Sequence, residues 1–236
     1  MFFFDPMWFF TMIGPLIFML YAQAKVSSAY GKWSKVSNMN RMTGADAAQK
    51  LLKANRLDSV KVEMAKGKLS DHYDPSKKVL RLSPDVYNSA SVAAIGIVAH
   101  EVGHAVQDAT GYAMMKFRTS IVPAANLGSQ LGFIAVIVGA LLAGMGVAFG
   151  STVIWGGVLL FSLVVVFSLI TLPVEYDASN RARAMLQSTG MVSVQDFSGA
   201  SAVLSAAALT YVAATLQSVA QLFYFITIAM GSNRRQ

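Results

Sequence analysis

The 236-residue chain contains no cysteine. Disulfides are therefore excluded, and so are thiolate-held zinc and iron–sulfur centres. Any metal must be held by His, Asp or Glu. Charge is scarce as well: 13% of residues are charged, and twelve Asp and Glu stand against nineteen Lys and Arg, a net +7. Histidine occurs three times. Apolar residues fill the remainder, with 55% hydrophobic content and a mean hydropathy of +0.51. That balance departs from a soluble domain towards an integral membrane protein. The basic residues cluster beside apolar runs, where they read as orientation signals. No nucleic-acid-binding motif accompanies them, so no nucleic-acid partner is expected.

Three stretches lack charge altogether. From Met7 the first apolar run extends to Ala24, long enough to span a bilayer with the roughly 20 residues needed. It has no basic segment before it and only a weak cleavage-like triplet, Ala22-Gln23-Ala24, so it reads as a retained anchor. Trp8, Phe9 and Phe10 at one end and Tyr21 near the other suit the two interfaces, and Pro15 is placed to kink the helix. Between Thr119 and Val174 the uncharged run is too long for one crossing. It suits two, Leu131–Gly150 and Thr152–Leu172, with a turn near Gly150-Ser151. Gly139, Gly144 and Gly146 would allow close helix approach, and Pro173 is expected to end the second span. The third stretch, Phe197 to Asn233, divides into an Ala- and Ser-rich helix, Ser201–Thr215, and a fourth span, Leu216–Met230.

The polar region from Lys25 to about Arg118 reads as a separate domain. Thr43 is a helix N-cap with Asp46 in the first turn of Ala45–Asn55. Ser59–Glu63 and Lys78–Leu82 alternate like strands; between them come the stretch Lys68–Tyr73 and Asp74-Pro75-Ser76-Lys77, which reads as a turn. A small antiparallel sheet is expected. Ser83-Pro84-Asp85 begins a short turn or helix, and Ser91 begins an apolar helix running to about Asp108. Tyr112–Gln130, carrying Lys116 and Arg118, is an interfacial helix or an extension of the next span. Val174–Leu186 reads as a polar helix and Ser188–Gly190 as a loop.

The Ser91 helix carries His100-Glu101-Val102-Gly103-His104. Positions i and i+4 lie on one helical face, so the two imidazoles can serve one metal ion. Glu101 projects beside them as a base for a water on that ion. Such a pentapeptide also arises by chance. Here its neighbours Val98, Ala99, Val102, Ala105 and Val106 argue against a solvated surface helix, and two of the chain's three histidines lie within it. Zinc in catalytic sites takes three protein ligands plus water. The third-ligand candidate is Glu175, at the start of the polar helix, with Asp177 the second choice. Two spans separate His104 from Glu175, and an even number of crossings returns the chain to the same side. Lys25, Lys32, Lys35, Lys116, Arg118, Arg181 and Arg183 lie on that side, which places the site in the cytoplasm. Arg234 and Arg235 are the discordant pair.

Together, His100–Gln107, Asp71-His72-Tyr73-Asp74-Pro75 and Leu172-Pro173-Val174-Glu175-Tyr176-Asp177-Ala178-Ser179 resemble the bacterial YugP-type membrane zinc metallopeptidases over nearly the whole chain. The resemblance implies a neutral, gluzincin-type zinc endopeptidase, distantly like the HtpX-type membrane proteases. It implies zinc held by His100, His104 and Glu175, with Glu101 as the base. In many gluzincins an Asp four residues after the ligand Glu bonds a ligand histidine. This chain has Ser179 there, followed by Asn180, so that support must come from Ser179, Asn180, Asp177 or elsewhere. His72 is a candidate oxyanion donor or substrate contact, on a strand that could pair with an extended peptide.

The expectation is thus an α+β membrane protein. It has about four transmembrane helices and a small, mainly helical zincin-like domain with a short antiparallel sheet. Its segments are an anchor (1–24), a cytoplasmic catalytic domain (25–118), a transmembrane hairpin (119–174), a helix with the third ligand (175–200) and a C-terminal helix or transmembrane segment (201–236). The cofactor is Zn2+. The partners are a peptide or protein substrate and the bilayer, with a second copy or another membrane protein left open. Two other readings compete. One is an intramembrane site-2-type metalloprotease, but by resemblance that class takes a ligand from an Asp-Gly motif, and no Asp-Gly occurs here. The other is a non-catalytic scaffold with structural zinc, which would need a fourth protein ligand and has no use for Glu101.

Overall fold

The computed structural model describes residues 6–67 and 69–233. Among them are seven helices and three strands: α1 (Pro6–Trp33), α2 (Gly44–Ala54), β1 (Lys61–Met64), β2 (His72–Asp74), β3 (Val79–Leu82), α3 (Pro84–Tyr87), α4 (Val92–Ala109), α5 (Ala113–Gly144), α6 (Gly150–Ser188) and α7 (Val194–Asn233). The architecture is α+β, as expected. Helices α1, α5, α6 and α7 are each long and apolar enough to cross a membrane. Arg234, Arg235, Lys68 and the first five residues lie outside the described residues.

The chain divides into two compact units. The first comprises residues 1–21, 117–172 and 211–236. Its core is Val136, Ile154, Val158, Phe161, Val165, Tyr224, Phe225 and Ala229. Phe161 and Phe225 meet edge to face with centroids 5.0 Å apart. Helices α5 and α6 approach closely through Gly139, where a Cβ would lie 2.7 Å from the Ile154 nitrogen. Gly144 faces open space, and Gly146, at φ +79°, instead serves the α5–α6 turn. That turn falls between Gly144 and Gly150, a few residues before the position expected.

The second unit comprises residues 22–116 and 173–210. Its core includes Leu51, Leu80, Leu82, Ile95, Val98, Val102 and Leu186, all fully buried. Thr43 caps α2: its side chain accepts from the Asp46 N–H, and the Asp46 carboxylate accepts from the Thr43 N–H. Ser91 caps α4 by accepting from the Ala94 N–H. The sheet order is β1-β3-β2. β2 and β3 pair antiparallel, with Tyr73 opposite Leu80. β1 joins the other side of β3 in parallel, with Lys61 opposite Val79, so the sheet is mixed. Its central strand is buried at Val79, Leu80 and Leu82, as a covered strand must be.

Two helix boundaries depart from expectation. α5 runs unbroken from Ala113, so the polar-flanked segment is an extension of the span. α6 runs straight through Pro173. Proline there removes one intrahelical bond and crowds one carbonyl. The helix continues because Val174, Ala178 and Ala182, four residues apart, are all fully buried on one face. Glu175 therefore sits mid-helix and not at a helix start.

Candidate metal centre

α4 presents His100 and His104 one turn apart, and α6 presents Glu175 and Ser179 one turn apart. Gly103 lets these helices touch. A Cβ at that position would lie 2.5 Å from the Ala178 carbonyl oxygen and 3.2 Å from its Cα. The glycine of the motif thus fixes how near Glu175 comes to the imidazoles.

The donors converge. Glu175 Oε2 lies 3.1 Å from His100 Nε2 and 3.4 Å from His104 Nε2, and the side chain of Glu175 is only 3% exposed. These three residues form the metal-capable cluster found among the described residues. Two ligands each about 2.0–2.1 Å from a tetrahedral ion lie about 3.3 Å apart. The donor set, two imidazoles and a carboxylate, fits zinc in both chemistry and spacing.

The other ring nitrogens are also held. Ser179 Oγ lies 3.1 Å from His100 Nδ1. The side-chain oxygen of Gln107 lies 2.9 Å from His104 Nδ1. Gln107 is fully buried and its amide nitrogen donates to the Val174 carbonyl (2.7 Å) and to Asp177 Oδ2 (2.8 Å). With both N–H groups committed to acceptors, the Gln107 oxygen must face His104, so Nδ1 of His104 carries the proton and Nε2 keeps its lone pair. Arg181 Nε donates to the same Asp177 oxygen at 2.6 Å, and its guanidinium lies over the Tyr112 ring. Burial disfavours a charged His104. The hydrogen bond to Glu175, the charges of Glu101 and Glu175, and the bond to Gln107 outweigh that, so its pKa is raised above the ordinary imidazole value.

Glu101, itself buried, is held by β2: the Tyr73 N–H donates to Glu101 Oε2 at 3.1 Å. The Tyr73 hydroxyl donates to Asp108 Oδ2 at 2.8 Å, so one strand residue bonds α4 at two points, Glu101 and Asp108. Burial, that hydrogen bond and the nearby charges of Asp108 and Asp74 hold the Tyr73 phenol well above its ordinary pKa.

The expected residues thus fall into three groups. His100, His104 and Glu175 come together, with Glu101 on the same helix. Ser179 touches His100, and Asp177 reaches His104 only through Gln107 and lies outside the ligand cluster. Asn180 is exposed and accepts from Arg183. His72 is exposed on β2; its Nδ1 lies 2.7 Å from the Ser70 carbonyl and its Nε2 3.5 Å from Arg81 Nη1. Sequence reasoning assigned no role to Gln107 or to Tyr73. For Gln107 a signal existed, an uncharged polar residue three positions after His104 on an apolar helix. The Tyr73 backbone contact left none.

Residues 8–230 match the protein family described as "Putative neutral zinc metallopeptidase". The chain is 41% identical, over 227 residues covering 94% of its length and 96% of the relative, to the protein named "Putative membrane protease YugP" of Bacillus subtilis (strain 168). No solved structure matches it.

Proposed function

The chain belongs to the neutral zinc metallopeptidase family defined by that match, and from this premise we propose that it is a membrane-bound zinc endopeptidase with Glu101 as general base. The observation that carries the reading is the convergence of His100 Nε2, His104 Nε2 and Glu175 Oε2 from two helices, with Glu101 held alongside.

His100, His104 and Glu175 would hold the metal. Zinc, when bound, would supply Lewis acidity, lowering the pKa of a water ligand towards about 7. Glu101 accepts the proton of the attacking water and returns it to the leaving amine. The Tyr73 N–H keeps the Glu101 carboxylate aimed, since one of its oxygens is engaged and the other is left for the proton. Ser179 and Gln107 fix the two imidazoles. β2 is an edge strand, the geometry that takes an extended peptide by backbone pairing. His72 is assigned to substrate contact and not to the oxyanion. Its Nδ1 proton faces the Ser70 carbonyl, which leaves Nε2 as an acceptor towards Arg81.

The intramembrane alternative is disfavoured because α4 is not among the helices long and apolar enough to cross a membrane. We place the site on the cytoplasmic side, on the strength of Lys25, Lys32, Lys35, Lys116, Arg118, Arg181 and Arg183. With no native cysteine, a Lys77→Cys variant carries a unique label. It should react with membrane-impermeant thiol reagents only after lysis, and labelling of intact cells would reverse the orientation.

The decisive experiment is Glu101→Gln. Zinc content should stay at the wild-type level, while peptide hydrolysis falls by about 10²–10⁴, the range of a lost general base. Undiminished hydrolysis removes Glu101 from the mechanism, and a wild-type protein that binds no zinc removes the peptidase reading.

A further inference from the structure

A cavity of about 590 Å³ lies in the second unit, with Ile97 of α4 in its wall. Two observations tie it to the reacting groups. Ile97, one of its walls, is one turn before His100 and Glu101 on the same face of α4, about 4.5 Å along the axis. Asp71, another wall, is two residues before Tyr73, whose N–H holds Glu101. A peptide laid along β2 across α4 would therefore direct one side chain into this space.

The chemistry of the walls selects that side chain. Val26 of α1, Ile97 of α4 and Val203 and Ala207 of α7 make most of the lining apolar. Two carboxylates, Asp71 and Asp85, also line it, and no Lys or Arg does among the described residues. Asp71 is fixed: it accepts from the Ser83 N–H at 2.8 Å and from the Ser83 hydroxyl at 3.0 Å. A carboxylate has about four lone-pair sites, so Asp71 retains capacity for a further donor. Asp85 is exposed at the rim of α3. An apolar sleeve with two carboxylates and, among the described residues, no lining cation suits an aliphatic stem bearing a cation.

We infer that this cavity, between Ile97 and the Asp71/Asp85 pair, is a substrate subsite that selects a lysine or arginine side chain near the scissile bond. The inference rests on the peptidase reading, since it takes the peptide to lie across α4. It also makes the polar continuation of the anchor helix α1, through Val26 and Tyr30, part of the substrate-binding wall.

The test uses the zinc-loaded full-length protein in detergent and a peptide set in which each position in turn is Lys, Arg, norleucine or Glu. One position relative to the cleaved bond should favour Lys and Arg over norleucine by roughly 10- to 100-fold in kcat/KM, the range of a charge-assisted hydrogen bond. Asp71→Asn/Asp85→Asn should bring that ratio close to one, with zinc content at the wild-type level. Asp85→Lys, on the exposed rim, should turn the preference towards Glu and guards against a folding defect at Asp71. Binding of the same peptides to Glu101→Gln protein, read by fluorescence anisotropy, reports the cavity without turnover. Cleavage without preference for a basic residue at any position overturns the subsite and leaves the peptidase reading standing. Tighter binding of basic peptides that wild-type protein does not cleave overturns the peptidase reading and supports the cavity as a cationic side-chain site. A preference that survives both carboxylate variants overturns the assignment to Asp71 and Asp85.

Discussion

The two units are assembled by different physics. Among the described residues, the first carries one charged side chain, Arg118, while the second carries all three histidines and the other charged groups. The first unit packs α5 against α6 through glycine at Gly139, with Val136, Ile154 and Phe161 filling the contact. Helices in lipid gain little from burying leucine against leucine, so close van der Waals approach must supply the attraction. The second unit has an ordinary hydrophobic core and several tight glycine contacts, at Gly44 against Val86, Gly199 against Trp33 and Gly103 against Ala178, and the last of these brings polar groups together. The same device, a missing Cβ at a helix crossing, thus serves packing in one unit and the convergence of metal-capable side chains in the other.

The largest test of that contrast is a matched pair of glycine substitutions. Gly103→Ala forces α4 and α6 apart at the candidate metal centre. Displacements of about 1 Å cost on the order of 10²-fold in rate, so activity should fall at least that far and zinc content should drop. Gly139→Ala overpacks α5 and α6 at a cost of about 1–3 kcal/mol. It should lower thermal stability in detergent while zinc stoichiometry stays at the wild-type value. Equal zinc retention in both variants would break the contrast.

A smaller effect is expected at Gln107. Gln107→Ala removes the acceptor that fixes the His104 ring and leaves Asp177 with one donor fewer. Loss of such support costs zinc affinity about 10- to 100-fold, measurable by competition with a chelator. Gln107→Glu, which keeps an acceptor facing Nδ1, should recover part of the loss. A purely structural role would show no such difference.

The smallest effect is in pH. Zinc held as proposed would need the lone pair on His104 Nε2, so protons would compete with the metal. Burial alone would lower the His104 pKa, but the hydrogen bond to Glu175 and the charge of Glu101 raise it above the free value of 6.5. Zinc affinity should therefore start to fall at a higher pH than it would for a free imidazole. In Glu101→Gln one of the raising charges is gone, so the midpoint should move to lower pH. An upward move would contradict the electrostatic account.

Much of this was legible in the amino-acid order. The Thr43 and Ser91 caps were readable because a short polar side chain ahead of an apolar periodic run has few other uses. The histidine pair was readable because helical spacing is a local property. The continuity of α6 through Pro173 was not, because proline's local penalty is offset only by the burial of Val174, Ala178 and Ala182, which is a tertiary fact. The parallel pairing of β1 was hidden for a similar reason. Neighbouring strands favour hairpins, and only the buried faces of Val79, Leu80 and Leu82 show that β3 is central. Gln107 was visible as a polar residue on an apolar face, but its partners lie about 70 residues away on α6.

The sequence by itself determined which side chains could bind a metal, that no thiol could join them, and that four runs could cross a bilayer, because residue type, helical period and length are local quantities. Only the tertiary structure decided how near Glu175 comes to the two imidazoles, which nitrogen of His104 is left bare, and which backbone N–H steadies Glu101. Those depend on the distance between helices that the chain order does not encode locally, and here that distance is set by a hydrogen atom where any other residue would place a carbon.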